Sequence, residues 1–267
     1  MPDLYSTIAE IPEETQQMLG DALELRAADP RMHEMQRRYF EWLDAPEGGR
    51  AIELGCGAGH VVADLLESTR LGEAVGLDPS PVLVERARAT FGNIEGLSFV
   101  EGDARNVPEE SEAFDLVLFH TTLSHVPRPD EALAEAFRLL RPGGRVAVFD
   151  GDYAANTVAL GPDDPLQGSL EHVARNLIHD KWLCRSLPRL LQEAGFDVVR
   201  RDVHPYIGDG DAAYFLSLID RGVDFMVRDG LLGAQGGAAL YDDAPARVDS
   251  GSFFGFISFH SVIARRA

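Results

Sequence analysis

Residues 50–59 read Arg-Ala-Ile-Glu-Leu-Gly-Cys-Gly-Ala-Gly, and this stretch decides the fold class. Its first half has the apolar texture of a β-strand, and helical spacing follows the glycines through Leu66. Glycines in such a strand-to-helix turn permit a tight backbone and let a ligand approach it closely. The N–H groups at the start of the helix point toward that ligand. Because ordinary structural turns also use glycine, further observations are needed to assign a site.

Short apolar runs continue to alternate with helical stretches after this turn. Strands are predicted at six further places: 74–78, 97–101, 114–119, 145–150, 196–203 and 252–264. One of the intervening helices begins with Pro81, a residue that suits the first helical turn. Strands that alternate with helices predict right-handed crossovers and a parallel α/β sheet.

Helical segments are also predicted outside this alternation, at 1–45, in an insertion after residue 153 and at 211–229, where a glycine-rich loop follows. Ten aromatic residues are concentrated in the N-terminal segment, the insertion and the C-terminal third: Tyr5, Trp42, Tyr153, Trp182, Tyr214, Phe215, Phe225, Phe253, Phe254 and Phe256. Most of them should pack in the core. The others should form a lid over the carboxyl ends of the strands, which indicates a small, partly apolar ligand and a site that excludes water.

The composition disfavours several classes of partner. The chain has 267 residues, of which 45% are hydrophobic, and a formal net charge of −20. Such an acidic surface disfavours nucleic acid and anionic membranes, and no apolar run of membrane-spanning length occurs. The N-terminal stretch lacks the pattern of a secretory signal, so a cytoplasmic protein is expected. Cys56 and Cys184 are too few for a thiolate zinc site, no histidine pair has zinc-site spacing, and no metal is expected.

Acidic side chains lie at the ends of the first three strands. Glu53 precedes the glycine turn, Asp78 ends the second strand and Asp103 follows the third. The carboxyl ends of neighbouring parallel strands form one crevice, where open α/β sheets bind their ligands. There Asp78 would accept hydrogen bonds from a ribose diol and Asp103 from an adenine amino group, while the N–H of Ala104 would face a ring nitrogen. Glu53 would favour a cationic amino group over an anion.

A dinucleotide is the alternative ligand for such a crevice. Dinucleotide sites favour Gly-x-Gly-x-x-Gly, whereas the spacing here is Gly-x-Gly-x-Gly and His60 stands where the third small residue belongs. Glu53 also disfavours a diphosphate, because both groups are anionic. A nicotinamide-dependent oxidoreductase is the rival enzyme class, and both observations count against it.

Five motifs occur in an order and spacing that resemble one family: ELGCGAG from residue 53, GLDPS from 76, EGDARNVP from 101, FDLVLFHTTLSHV from 114 and LLRPGGRVAVFD from 139. Together they look like the class I S-adenosylmethionine (SAM)-dependent methyltransferases. The closest type acts on small molecules and includes ubiquinone, menaquinone and natural-product methyltransferases. The resemblance covers residues 48–153 well, and it covers 186–203 and 252–264 only as sheet topology.

The resemblance implies a doubly wound, Rossmann-like sheet of seven strands in the order 3-2-1-4-5-7-6, with strand 7 antiparallel and with helical lid additions. The whole chain, 1–267, is then a single methyltransferase domain. Its expected parts are an N-terminal helical lid, a SAM-binding core, an insertion and a C-terminal part of the sheet with a helical insertion, at 1–47, 48–153, 154–185 and 186–267.

The resemblance also implies which residues bind SAM. The methionine part would be lined by residues of the glycine turn and of the end of the fourth strand: Glu53 near the amino group, Gly55, Cys56, Gly57 and His120. The ribose and adenine would be held by residues that follow the second and third strands: Asp78 at the ribose hydroxyls, Pro79 beside the adenine, and Asp103 and Ala104 at its edge.

Catalytic residues are harder to predict, because SAM carries an activated methyl group and the enzyme must mainly align the acceptor. A base is needed only where the acceptor loses a proton. His125 is the candidate base, since it lies just past the fourth strand and an imidazole accepts a proton near neutral pH. Asp150 and Asp152 end the fifth strand and would orient His125, bind the acceptor or act as bases. Structural roles in loops and turns are the alternatives for all three.

The sequence therefore predicts methyl transfer from SAM, with S-adenosylhomocysteine as product, to a small, partly apolar organic acceptor such as a specialised metabolite. The protein is expected to act as a monomer or homodimer, without nucleic acid or membrane partners. A SAM-binding protein without transfer activity is the second alternative. Oxygen, nitrogen and carbon all stay open as the methylated atom.

Overall fold

A computed structural model describes residues 3–210 and 212–267. Its α-helices are α1 (Glu13–Ala27), α2 (Pro30–Phe40), α3 (His60–Ser68), α4 (Pro81–Phe91), α5 (Pro129–Leu139), α6 (Leu166–Leu177), α7 (Leu183–Glu193), α8 (Ala213–Arg228) and α9 (Ala234–Asp249). Its strands are β1 (Arg50–Leu54), β2 (Glu73–Asp78), β3 (Leu97–Glu101), β4 (Phe114–His120), β5 (Leu140–Gly151), β6 (Phe196–Gly208) and β7 (Gly255–Arg266).

These strands form one seven-stranded sheet in the described part of the chain, in the order β3-β2-β1-β4-β5-β7-β6. Strand β7 runs antiparallel to both β5 and β6, whereas the other neighbours pair in parallel. The strand order and fold class expected from the sequence are therefore confirmed. Because β1, β2, β3 and β4 are parallel neighbours, their carboxyl ends lie at one edge of the sheet.

The core covers both faces of this sheet. One cluster joins Leu133 of α5 and Leu187 of α7 to Val117 of β4. Another brings Tyr39 of α2 and Phe215 of α8 against the opposite face. Full burial of a side chain of this size contributes about 1.5–3 kcal/mol. Strand β4 is buried on both sides, which explains why its sequence is apolar nearly throughout.

Two capped helices start close to the carboxyl edge of the sheet or above it. Ser80 caps α4 by accepting the backbone N–H of Leu83 at 3.1 Å, and Pro81 occupies the first helical turn as predicted. Asp29 caps α2 by accepting two backbone N–H groups at 2.8 and 3.3 Å. Its second carboxylate oxygen accepts the hydroxyl of Tyr206 in β6 at 2.5 Å. The cap therefore also ties α2 to the sheet.

The segment after α8 differs from the sequence prediction. The sequence predicts a glycine-rich loop, but the structure has helix α9, which contains Pro245 and two glycines. Leu240 and Ala244, one helical turn apart, are buried. A Cβ added at Gly237 would lie 2.8 Å from the side chain of Val227, so glycine lets α9 approach α8 closely. The loop prediction was wrong because packing outweighs the low helix propensity of glycine, about 1 kcal/mol per residue.

The described residues contain neither a membrane-spanning helix nor a metal-binding cluster. No helix in 3–210 or 212–267 combines the length and the hydrophobicity needed to cross a membrane. Within the same residues, no group of three or more His, Cys, Asp or Glu side chains is placed to hold a metal ion. Cys56 and Cys184 are free and buried.

Candidate active site

A cavity of about 230 Å³ lies at the edge where the first four strands end. Its wall includes one residue from each strand end or the turn that follows it: Glu53, Asp78, Asp103 and His120. It continues under α1, α6 and α8. We call the part lined by residues 53–127 the strand-end half, and the part lined by residues 5–36 and 153–221 the lid half. The crevice and the helices over it thus share one space.

The glycine turn has a tight backbone at the wall of this cavity. Gly55 and Gly57 have φ angles of +79° and +52°, in the left-handed region that favours glycine. A Cβ added at Gly55 would lie 2.3 Å from the side chain of Thr122. The N–H of Gly57 donates to the carboxylate of Asp78 at 2.8 Å, and Cys56 between the two glycines is buried. The turn is therefore fixed against the end of β2.

Glu53 is buried at the cavity wall with an unused hydrogen-bond acceptor. The residue is 1% exposed, and its Oε2 atom has no partner among the described residues. Burial raises the pKa of Glu53 well above its usual value, and the charge of Arg26 opposes that rise only in part. A buried carboxylate without a partner is costly, so a cationic group in the cavity would be stabilised beside it.

Asp78 is also buried, and Pro79 lies beside it on the cavity wall. Its two oxygens accept the backbone N–H groups of Gly57 and Ser80 at 2.8 and 2.9 Å. Burial raises the pKa of Asp78 to about 6, although both N–H groups oppose the rise. Each carboxylate oxygen accepts more than one hydrogen bond. Acceptor capacity for a diol therefore remains.

Asp103 lies at the rim of the cavity, with 46% of its side chain exposed. Arg105 forms a forked contact with its carboxylate, with N–O distances from 2.6 to 3.1 Å. The hydrogen bond from the Arg105 side chain lowers the pKa of Asp103. Ala104 between them is buried and lines the cavity. Any ligand contact to Asp103 would be made alongside this ion pair.

His120 forms a fixed, uncharged part of the wall at the end of β4. Its ring stacks on Phe149 with centroids 4.6 Å apart, and its Nδ1 lies 2.8 Å from the hydroxyl of Tyr39. Burial lowers the pKa of His120 well below its usual value, so the imidazole is neutral near pH 7.

Arg26 is a cavity residue that the sequence analysis missed. It lies in the last turn of α1, and its side chain has no hydrogen bond or ion pair with another described residue. Burial is the main cause of the pKa shifts of Glu53, His120 and Tyr153, and the charge of Arg26 is a further cause at each of them. Arg26 therefore lies near all three. No sequence signal marks Arg26, because only the fold brings the end of α1 to the end of β1.

His125 lies on the cavity wall in the short turn after β4, with a carboxylate on one ring nitrogen. Its Nδ1 is 2.8 Å from Oδ2 of Asp3, and the same oxygen accepts the backbone N–H of His179 at 3.0 Å. The ring of Tyr5 lies 4.7 Å from the imidazole. A carboxylate at Nδ1 favours a proton there and leaves Nε2 as the acceptor. Asp3 is 122 positions from His125, and no motif or spacing marked it.

The other two candidate bases do not belong to the cavity wall. Asp150 is fully buried, and its oxygens accept the backbone N–H groups of Ser124 and Gly151 at 3.0 and 2.9 Å. Oδ2 of Asp152 accepts a hydrogen bond from Nε of Arg185 at 3.0 Å. Asp150 therefore anchors the turn that carries His125, and Asp152 anchors α7 to the end of β5. Of the three candidates, the structure brings only His125 to the cavity.

Sequence comparison relates this chain to known proteins. Residues 52–148 match the family model described as methyltransferase domain. The chain is 30% identical over 225 residues to an uncharacterized 37.1 kDa protein in transposon Tn4556 of Streptomyces fradiae, a match over 84% of this chain and 64% of the relative. It is 36% identical over 114 residues to the ubiquinone/menaquinone biosynthesis C-methyltransferase UbiE of Roseobacter denitrificans, over 42% of this chain and 46% of the relative. The chain thus spans less than two thirds of the length of these relatives.

Comparison of folds agrees with the family match. A crystal structure of a Bacillus halodurans C-125 protein classed with the methyltransferases superposes with a TM-score of 0.61 at 18% identity, over 86% of this chain and 98% of that one. At this identity the likeness concerns the fold. The segment matched by the family model includes all strands from β1 to β4, whose ends line the strand-end half of the cavity.

Proposed function

We propose that the chain is a class I SAM-dependent methyltransferase and that it transfers a methyl group from SAM to a small organic acceptor. One observation carries the proposal. Within the described part of the chain, Oε2 of Glu53 and the side chain of Arg26 have no hydrogen-bond or ion-pair partner, and the two groups lie near one another in the cavity. The amino-acid tail of SAM carries one ammonium and one carboxylate, the complements of these two groups. A nicotinamide dinucleotide has no such tail, so the pair favours SAM over the rival ligand.

We propose that the strand-end half holds the cofactor together with Arg26 of the lid half. Glu53 would hold the ammonium group and Arg26 the carboxylate of the methionine part. The remaining contacts are those expected from the sequence: Gly55, Cys56, Gly57, Asp78, Pro79, Asp103, Ala104 and His120. When bound, SAM supplies a methyl group on a sulfonium, already activated for in-line displacement.

The lid half is proposed to bind and align the acceptor. Side chains from α6 and α8, such as Leu170 and Leu218, cover the cavity together with Tyr5 near the N-terminus. A fixed orientation of the acceptor removes much of the entropic barrier to transfer. The cover also keeps water away from the reacting groups. In this proposal, residues 48–153 form the cofactor-binding core of a single domain, and the segments 1–47 and 154–185 contribute to acceptor binding together with α8.

His125 is proposed as the base where the acceptor loses a proton. Its Nε2 would take the proton, and the carboxylate of Asp3 on Nδ1 would stabilise the resulting imidazolium. Asp150 would act at a distance, because it holds the backbone of Ser124 next to His125. Asp152, which pairs with Arg185, is assigned a structural role.

The acceptor is proposed to be a partly apolar small molecule, with a specialised metabolite as the favoured class. The net charge of −20 supports a protein without nucleic acid partners. We propose a cytoplasmic enzyme that acts as a monomer or homodimer.

Calorimetry with SAM and S-adenosylhomocysteine, followed by a screen of acceptors with methyl-labelled SAM, tests the proposal. Binding of both compounds and a labelled small-molecule product would support it. Glu53→Gln should weaken binding, whereas Glu67→Gln, an exposed residue of α3, should not. Binding of NADH with no heat from SAM would contradict the proposal. Binding of SAM without any labelled product across the screen would identify the alternative without transfer activity.

A further inference from the structure

We propose that the acceptor carries a carboxylate, recognised in the lid half of the cavity by Arg221 together with the hydroxyls of Tyr5, Tyr153 and Tyr214. The inference rests on the proposed function, since it names the class of acceptor that the same cavity takes. The proposed acceptor is a molecule with a carboxylate next to an apolar body.

Charge is distributed unevenly around the cavity. Among the described residues that line it, three are acidic: Glu53, Asp78 and Asp103. All three belong to the strand-end half, and the described residues of the lid half contribute no carboxylate to the wall. The chain as a whole has 44 acidic and 24 basic residues. A wall without carboxylates in so acidic a protein favours an anion.

Arg221 is the cation that this wall offers to the acceptor. Arg105 is paired with Asp103, and Arg26 is assigned to the carboxylate of the cofactor. Arg221, on α8, has no carboxylate partner among the described residues. Its Nε donates to the backbone carbonyl of Ser217 at 3.0 Å, and its Nη2 donates to the Ser217 hydroxyl at 3.3 Å. These contacts fix the guanidinium on its own helix and leave Nη1 without a partner in the described structure.

Two arginines on α8 and α9 differ from Arg221 in having carboxylate partners. Arg228, also on α8, pairs with Asp229 at 2.8 Å. Arg247 on α9 pairs with both Asp164 and Asp243. These two arginines, which lie outside the cavity, are thus neutralised by neighbouring carboxylates, whereas Arg221 on the cavity wall is not.

Three tyrosine hydroxyls surround the same space. Tyr5, Tyr153 and Tyr214 line the cavity, and their hydroxyls make no hydrogen bond to another described residue. Burial raises the pKa of Tyr5, with Arg221 among the opposing causes, and burial raises that of Tyr153 well above its usual value. Tyr214 acts electrostatically on both. Tyr5 and Tyr153 therefore keep their protons at neutral pH. Tyr5 lies near Arg221, Tyr153 lies near Tyr214, and Tyr214 shares α8 with Arg221.

Most of the rest of the lid wall is apolar, apart from the polar residues Ser6, His33, Gln36 and Asn156. It includes Val173, Ala174 and Leu177 of α6 and Leu218 of α8. An apolar wall beside a single available cation fits a monoanionic carboxylate on a hydrocarbon or aromatic body. A phosphate monoester carries about 1.5 to 2 charges at pH 7 and would leave charge unmatched here. The planar guanidinium also matches the geometry of a carboxylate.

Calorimetry on the full chain saturated with S-adenosylhomocysteine tests the proposal without an identified substrate. The probes are hexanoate, benzoate and 2-naphthoate, each compared with its uncharged primary amide. At least one acid should bind about tenfold or more tightly than its amide, because a charge-assisted hydrogen bond is lost in the amide. Equal affinity within every pair, or no binding by any acid, would overturn the proposal.

Variants assign the preference to one residue. Arg221→Gln should reduce the acid-to-amide ratio to about one, while the affinity for S-adenosylhomocysteine stays at the level of the unchanged protein. Arg228→Gln, on the same helix and outside the cavity, should keep the full preference. Tyr214→Phe, which removes only a hydroxyl, should reduce it partly and serves if Arg221→Gln does not fold. A preference that persists in Arg221→Gln, or that is undiminished in Tyr214→Phe, would count against the assignment. A lack of binding by S-adenosylhomocysteine itself would instead defeat the proposed function.

Discussion

The two halves of the cavity are assembled in different ways. The strand-end half comes from turns that directly follow parallel strands, within residues 53–127, and it holds all the carboxylates contributed by the described lining residues. The lid half gathers side chains from residues 5–36 and 153–221 and presents cations, hydroxyls and apolar groups. The difference suggests a division of labour, in which the sheet edge fixes the cofactor and the helices over it select the acceptor.

The strongest challenge to this division is His125, which lies in the strand-end half but is assigned to the acceptor. His125→Ala should lower turnover by about 10²-fold or more, because the acceptor then loses its base. The affinity for S-adenosylhomocysteine should not change. Turnover is measured with an acceptor found in the labelled screen, and added imidazole should restore part of the rate. Full turnover by the variant would remove His125 from the mechanism.

A large effect on the cofactor alone is expected from Glu53. Glu53→Gln should weaken binding of S-adenosylhomocysteine by about tenfold or more, since a charged contact becomes a neutral one. At pH 7, binding to the unchanged protein should also release protons. The reason is that the ligand ammonium lowers the pKa of Glu53, which burial holds well above its usual value in the free protein.

Calorimetry in buffers with different ionisation enthalpies measures this proton release, which Glu53→Gln should diminish. Glu67→Gln serves as the matched control and should behave as the unchanged protein. Identical proton release in both variants would show that Glu53 does not meet the ammonium.

A smaller effect is expected from loss of the α2 cap, which should change the stability of the protein but not binding at the sheet edge. Asp29→Ala removes the cap of α2 and should lower the free energy of unfolding by about 1 kcal/mol, roughly fivefold in the folding equilibrium. Urea unfolding measures the change, and Glu34→Ala on the exposed side of the same helix should have little effect. The affinity for S-adenosylhomocysteine should stay the same in both. A loss of affinity in Asp29→Ala alone would show that the halves are coupled.

The smallest expected effect is a dependence of binding on pH. The pKa of Asp78 is about 6 in the free protein. Below that pH the carboxyl is protonated and loses its role as acceptor for ribose hydroxyls. Affinity for S-adenosylhomocysteine should therefore fall about fourfold from pH 7.5 to 5.5. Protonation of Glu53 would also lower the affinity at low pH, so the contribution of Asp78 is measured in the Glu53→Gln variant. Adding Asp78→Asn to that variant should abolish the remaining pH dependence.

Sequence reasoning reached the strand-end half because its information is local. Gly55 and Asp78 each stand next to a recognisable strand, and parallel pairing brings strand ends together by rule. Arg26 and Arg221 carry no such mark, since their helices reach the cavity only through tertiary packing. Helix α9 escaped prediction for a related reason, because close packing against α8 determines it rather than helix propensity.

The candidate bases show the same limit at the level of single side chains. Position after a strand does not determine orientation, and this is why Asp150 turned out to bind the backbone of Ser124 instead of lining the cavity. The partner of His125 is Asp3, which lies far before it in the sequence. Its identification needed the fold of the N-terminal segment over the sheet edge.

The Asp3 carboxylate touches both His125 and the backbone of His179, so it joins three distant parts of the chain at one point. Any movement that carries residues 3–5 off the sheet edge to let molecules pass also takes away the group that holds the imidazole in its tautomer. Proton abstraction and exchange of ligands with solvent would then alternate in time. A bound acceptor would meet His125 in the required tautomer only after residues 3–5 had returned to the sheet edge.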